Sequence, residues 1–207
     1  MAIAINGLGT ITGVSVGGLP DGIVDTDMLA ANAVTVAKAS GSVKGITHAR
    51  AYRITTSYTL TSGSAVLTSN WEFDDDASVG SLGSSWALPS SGAFSFPTTG
   101  IYEVKAHSMW YAASGINTTY GGIHVSGTTD NFSSESSRAA AYSSQSDDLS
   151  ATRYHNTHTS AIFDVTDTSN VKFKIKTLRD TNYGNIVFMG DSGDNYTYVE
   201  VIRLGDT

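Results

Sequence analysis

An antiparallel all-β sandwich is the fold class this sequence predicts, and three observations predict it. Apolar residues alternate with polar ones at period two in several short segments, the mark of strands with one dry and one wet face. Glycine occurs 21 times against three prolines, which favours many tight turns over proline-rich linkers. The third is the stretch over residues 92–102, Gly-Ala-Phe-Ser-Phe-Pro-Thr-Thr-Gly-Ile-Tyr. Phe94 and Phe96 share a strand face, Pro97 removes a ladder donor, and Gly100 permits a reversal that a side chain resists. Beyond it Tyr102, Val104, Ala106 and Trp110 keep one phase, while Glu103, Lys105 and His107 keep the other. Strand, corner and strand turn the Phe and Tyr faces into one core.

Residues 1–48 read differently from the rest. They hold eight glycines and no aromatic residue, and their short apolar triplets (Ile3 to Ile5, Val14 to Val16) are too small to close a core. Asp25, Thr26 and Asp27 precede an apolar run beginning at Met28, an N-terminus signal for one short helix of about two turns. So little aromatic content does not offset the ordering entropy of the segment. Order is therefore expected only against copies of itself or another protein.

From residue 50 the pattern is strands. Tyr52, Ile54, Tyr58 and Leu60 oppose Arg53, Thr55, Ser57 and Thr59. Ser62, Gly63 and Ser64 break that strand, Ala65 to Leu67 resume it, and Trp71, Glu72 and Phe73 lead to an acidic loop, Asp74 to Asp76. Gly80, Gly83, Ser84 and Ser85 mark a further loop before Trp86 and Leu88. Residues 121–125 read as a short strand, and residues 126–150, with nine serines, as a long excursion or weakly paired edge. Ala161 to Val165 form a strand and Asp167 to Asn170 a turn. Val171, Phe173 and Ile175 then alternate with Lys172, Lys174 and Lys176, and residues 186–189 form a buried run. The closing segment, Tyr196 to Leu204, is apolar in both phases: Tyr196, Tyr198 and Ile202 on one side, Val199 and Val201 on the other. Such a strand is covered on both faces. The sandwich supplies one cover, and a neighbouring subunit is expected to supply the other.

Composition excludes several classes. Cysteine is absent, so disulfides and thiolate metal sites are ruled out. The net charge of -7 opposes nucleic-acid binding, which needs clustered Lys and Arg. No apolar run is long enough for membrane insertion. The N-terminus shows neither the basic segment nor the apolar run of an export signal, so synthesis in a cytosol and release by assembly or lysis are expected.

Taken together, Gly92-x-Phe94-x-Phe96-Pro97-x-x-Gly100-x-Tyr102-x-Val104 resembles the Gly-x-Phe-x-x-Pro-x-x-Gly-x-Tyr-x-Phe strand pair of the tumour necrosis factor and complement globular-head superfamily. Val171-x-Phe173-x-Ile175 resembles its late inner strand, and residues 196–204 sit where its last strand falls. Asp167 to Asn170 replace the Gly-Asp pair usual before the late strand. The resemblance covers roughly residues 50–207 and implies a jelly-roll sandwich assembling as a trimer about an aromatic-lined axis. Met109, Tyr111, Phe173, Tyr196 and Tyr198 are then the trimer-interface candidates. Residues 7–13, 18–22 and 27–35 are similar to the glycine-punctuated stems of tailed-bacteriophage fibre and virion-surface proteins. That similarity implies a short, extended and partly helical N-terminal stem over residues 1–48, below a head over residues 49–207. Ile11, Val14, Leu19, Met28 and Leu29 are the virion-attachment candidates.

Chemistry-bearing motifs are sparse. No Gly-x-Ser-x-Gly elbow, zinc-protease helix or phosphate-cradling glycine loop occurs, so no catalytic, cofactor or metal residue is assigned and the chain is not expected to be an enzyme. Asp74 to Asp76 could hold Ca²⁺ but read better as a solvated acidic turn, and Asp191 and Asp194 better as part of a glycine-containing turn. His155 and His158 would align on a helix, but strand spacing puts them on opposite faces. Tyr111, Tyr120, Tyr142, Tyr154 and Tyr183 lie in or beside Ser, Asn, Thr and Gly segments, a mixture suited to recognition. Tyr120, Tyr142, Tyr154 and Tyr183 are the receptor-loop candidates.

The expected function is that of a bacteriophage structural protein: a homotrimeric, fibre-like virion protein whose head binds a host surface glycan or protein and whose stem docks on other virion proteins. A capsid or tail decoration protein that stabilises the particle without receptor binding is the alternative. Its expected place is the exposed surface of the virion, after assembly in the bacterial cytoplasm.

Overall fold

A computed structural model describes residues 45–145, 150–181 and 184–207 of the chain. The expected helix and the attachment candidates Ile11, Val14, Leu19, Met28 and Leu29 lie outside the described residues. In chain order the strands are β1 (Ala49–Ile54), β2 (Thr56–Leu60), β3 (Ser64–Val66), β4 (Trp71–Phe73), β5 (Ala93–Ser95), β6 (Gly100–Ala112), β7 (Tyr120–Thr128), β8 (Ser136–Ser144), β9 (Arg153–Val165), β10 (Lys172–Arg179), β11 (Ile186–Asp191) and β12 (Tyr198–Gly205). They form two antiparallel sheets. The seven-stranded sheet runs β2-β11-β6-β12-β1-β4, with β9 also on β6; the five-stranded sheet runs β3-β10-β7-β8, with β5 also on β10.

Strand β6 organises the larger sheet. Thirteen residues with near-perfect alternation let it pair β9 along its whole length, and both β12 and β11 on its other edge. Its inward series, Tyr102, Val104, Ala106 and Trp110, is buried as the phase of the sequence requires. The corner before it carries the chain from the smaller sheet to the larger, because β5 pairs β10 while β6 does not. Phe94 stacks on Phe173 with centroids 4.6 Å apart, and Phe96 fills the gap between Tyr102, at 4.7 Å, and Phe163, at 5.5 Å. Burying each such ring contributes about 2–3 kcal/mol, and the tilted contacts add to this. The Tyr102 hydroxyl donates to the Thr98 carbonyl at 3.1 Å, so its polar end is satisfied at the corner.

Gly100 is the residue this corner needs. Its φ is +144°, and a Cβ there would press on Arg203 Nε and lie 2.6 Å from the Gly205 carbonyl oxygen. Gly100→Ala therefore combines backbone strain with overpacking, each of order 1–3 kcal/mol. A urea midpoint lowered by at least about 2 kcal/mol of stability is expected; an unchanged midpoint would show that the corner yields freely.

Several expectations change in detail. The strand read over residues 52–60 is interrupted at Thr55, whose N–H donates to the Asn70 carbonyl rather than into the β11 or β12 ladder. The short strand read at residues 121–125 extends to nine residues, and that read at 161–165 to thirteen. The serine-rich region contains the end of β7 and all of β8, an edge strand mostly exposed or half-buried. Small residues suffice there because only alternate positions, Ala139 among them, touch the core. The closing strand begins at Tyr198, two residues later than read.

Candidate functional site

The two-sided closing strand leads to the face of the seven-stranded sheet that points away from the sandwich core. On β6 that face carries Ile101, Glu103, Lys105, His107, Met109 and Tyr111, all half-buried except the exposed Lys105. Register on β12 sets Tyr198 opposite His107, Glu200 opposite Lys105 and Ile202 opposite Glu103. Register on β9 sets Tyr154 opposite Tyr111, His158 opposite His107 and Ile162 opposite Glu103. Directly opposed residues share a face, so a polar centre lies between apolar flanks. Ile162 is 59% exposed and Tyr154 57%.

At the centre is a hollow of about 350 Å³, bounded by His107, His158, Tyr198, Lys105, Glu200 and Ser160 among others. His107 Nδ1 lies 3.0 Å from the Tyr196 carbonyl oxygen. A carbonyl only accepts, so Nδ1 carries the proton in this contact. The His107 ring leans on Tyr198, centroids 4.9 Å apart. Burial lowers the His107 pKa, and the neighbouring His158 lowers it further against the opposing hydrogen bond to Tyr196. Burial also raises the Tyr198 pKa, with Glu200 adding to it.

Beside this hollow the acidic loop has a role that neither expectation for it described. Arg53, paired across from Tyr198, points its guanidinium into the loop with only 2% of its side chain exposed. Nε donates to Glu72 at 2.7 Å, and Nη1 donates to Asp76 at 2.7 Å and to Asp74 at 3.2 Å. Asn195 Nδ2 donates to the other oxygen of Asp74 at 2.5 Å. Asp74 is therefore buried and paired, whereas Asp75 and Asp76 stay exposed to solvent as expected of the turn. The hydrogen bond from Arg53 holds the Asp76 carboxyl below its ordinary range. Asp191 and Asp194 serve their turn: Gly193 N–H donates to Asp191 at 2.7 Å, and the Tyr196 hydroxyl to Asp194 at 3.3 Å.

Of the interface candidates, Met109, Tyr111 and Tyr198 lie together on the outward face, and Tyr196 precedes it in the loop. Phe173 does not belong with them. It is 1% exposed, stacked on Phe94 in the sandwich core, because strand parity turns it inward with Val171 and Ile175. Of the receptor candidates, Tyr120, Tyr142 and Tyr154 are on strands rather than loops. Tyr142 opposes Gly122, whose Cβ would meet the Tyr142 ring on the outward face of the five-stranded sheet, whereas a Cβ on Gly121 would meet Trp110 inside. Tyr120 joins Tyr142 there, edge to face at 5.3 Å. Tyr154 meets Tyr111 at 5.4 Å on the other sheet. Both pairs stand at the end of the sandwich where β6 passes to β7; Tyr183 lies outside the described residues. His155 stacks on Trp110 at 4.2 Å, on the opposite face from His158, as strand spacing requires. The Arg53 clamp and the opposition of His107 to His158 were not visible in sequence, since both depend on long-range register.

The fold as a whole is similar to that of solved structures. The chain superposes on Eiger TNF from S. frugiperda with a TM-score of 0.57 at 9% identity, over 79% of this chain and 95% of that one. The fold is a TNF-like jelly roll. Murine APRIL at pH 8.0 aligns with a TM-score of 0.51 at 13% identity, over 76% of this chain and 98% of that one. No protein-family model matches the sequence, and comparison with curated proteins gives no match. At such identities the likeness establishes the fold, and the outward faces must be judged on their own residues.

Proposed function

We propose that the chain is a bacteriophage structural protein: a homotrimeric, fibre-like virion protein whose jelly-roll head binds the host cell surface. Residues 1–48 attach it to other virion proteins, and the head stands on the surface of the particle after assembly in the bacterial cytoplasm. The observation that carries this reading is the outward face of the seven-stranded sheet. Ile101, Met109, Tyr111, Tyr198 and Ile202 stand half-buried there with Ile162 exposed beside them, a concentration of apolar groups that marks an interaction surface. Copies of the chain supply the missing cover, consistent with the two-sided closing strand. The glycine-punctuated stem sequence supports the particle setting.

Recognition falls to the Tyr120–Tyr142 pair, rigid amphipathic rings at one end of the head on the other sheet, since the Tyr111–Tyr154 pair stands on the face assigned to contact between copies. Three copies raise a weak contact through effective concentration. The test is binding of fluorescently labelled full chain, at equal concentration, to a panel of intact bacterial species. Binding confined to one or a few species, and reduced at least about tenfold by Tyr142→Ala (a loss of ~1.4 kcal/mol), is expected. Uniform binding across the panel, or none, would overturn receptor recognition and leave particle stabilisation as the role.

A further inference from the structure

His107 and His158 lie far apart in sequence, yet the β6–β9 register sets them directly opposite, both directed to the outward face. We propose that this pair is a binding site for a divalent transition-metal ion of the class that favours imidazole nitrogen, such as Zn²⁺, Ni²⁺ or Cu²⁺. Four observations carry it. Directly opposed residues on antiparallel strands hold their Cβ atoms about 5 Å apart, within reach of two imidazoles sharing one ion. The His107 Nδ1–H is committed to the Tyr196 carbonyl at 3.0 Å, so Nε2 keeps the lone pair a metal requires. A backbone carbonyl on the far nitrogen is also the arrangement that orients metal-bound histidines. The Tyr198 ring fixes the other side of the His107 imidazole, while His158 is exposed and its ring is free to turn toward the ion. Finally, the hollow of about 350 Å³ in front of the pair leaves room for water to complete the coordination.

Among the described residues no three His, Asp or Glu side chains already stand as a metal-binding group, so the site is a two-imidazole chelate closed by water. Lys105, which lines the same hollow, stands 3.6 Å from the Glu103 carboxylate, which offsets its charge. Nitrogen ligands select against Ca²⁺ and Mg²⁺, which take oxygen. The other three histidines are placed differently: His155 stacks on Trp110, His48 meets Trp86 edge-on, and His124 opposes Lys176.

Isothermal titration of the full chain with NiCl₂, ZnCl₂, CaCl₂ and MgCl₂ tests the proposal, read beside the sedimenting mass of each sample because the pair lies on the face assigned above to contact between copies. One Ni²⁺ or Zn²⁺ per chain is expected, with no heat from Ca²⁺ or Mg²⁺. His158→Ala, at an exposed position that leaves the core intact, should weaken binding at least about tenfold. His107→Ala should do the same, and His124→Ala should leave binding unchanged. Equal affinity in wild type and His158→Ala, or no Ni²⁺ or Zn²⁺ binding by wild type at millimolar metal, would overturn the site.

Discussion

Tyr198→Asp is expected to turn a trimer into single, folded copies. Tyr198 stands at the centre of the outward face, across from His107 on one side and Arg53 on the other. In the assembly proposed above that face is covered by another copy, so a carboxylate there loses its water. An unpaired buried carboxylate costs several kcal/mol, on the order of 3 kcal/mol or more in each copy. Arg53 does not rescue it, because its guanidinium already holds Glu72, Asp74 and Asp76. The measurement is size-exclusion chromatography with light scattering at pH 8. Far-UV circular dichroism alongside it reports that the sandwich remains. Tyr198→Phe, which keeps the ring, should keep the trimer. A Tyr198→Asp protein that elutes as a trimer with unchanged thermal stability places the covered surface elsewhere.

The second large effect belongs to Arg53→Met. Removing the guanidinium leaves Asp74, 3% exposed, with Asn195 alone, and returns Glu72 and Asp76 to mutual repulsion. Breaking a buried ion pair by deleting one partner costs about 3–5 kcal/mol. The low end is expected here, because Glu72 and Asp76 stay partly in water. For a domain of this size about 3 kcal/mol corresponds to a Tm fall of roughly 6–12 °C. The pH dependence has a definite sign. In the wild type the Asp76 carboxyl is held below its ordinary value by Arg53. Its stabilising contribution is therefore full above pH ~4 and lost as pH falls through the lowered folded value. In Arg53→Met no cation favours the ionised loop, and protonation relieves repulsion. The gap in Tm between the two proteins should then be widest at pH 7 and narrow toward pH 3. A gap under about 2 °C at pH 7 would show that the clamp contributes little.

What the sequence disclosed, and what it hid, divide along the range of the interactions. Val171, Phe173 and Ile175 against Lys172, Lys174 and Lys176 show a dry and a wet face from local alternation alone, and β10 obeys it. The corner from Phe94 to Tyr102 was legible for the same reason, with Pro97 and Gly100 marking the reversal. The double phase read over Tyr196 to Leu204 holds from Tyr198, with Val199 and Val201 buried in the core and Tyr198 and Ile202 half-buried on the opposite face. Strand β8 was not recognised as a full strand, because an edge covered by Ala and Ser need show no apolar period. Phe173 lies on that same dry face of β10, so its alternation with the lysines already argues against the subunit-surface assignment, and the structure stacks it on Phe94 in the sandwich core. The Arg53 clamp and the His107–His158 pair depend on registers between distant strands, which no local pattern encodes.

The proposed assembly rests on the outward face of the seven-stranded sheet being shared between copies, and sedimentation equilibrium of the full chain at micromolar concentration tests it most directly. A mass three times the 21.7 kDa of one chain is expected. A stable species at the mass of one chain, unchanged as concentration rises, would contradict it.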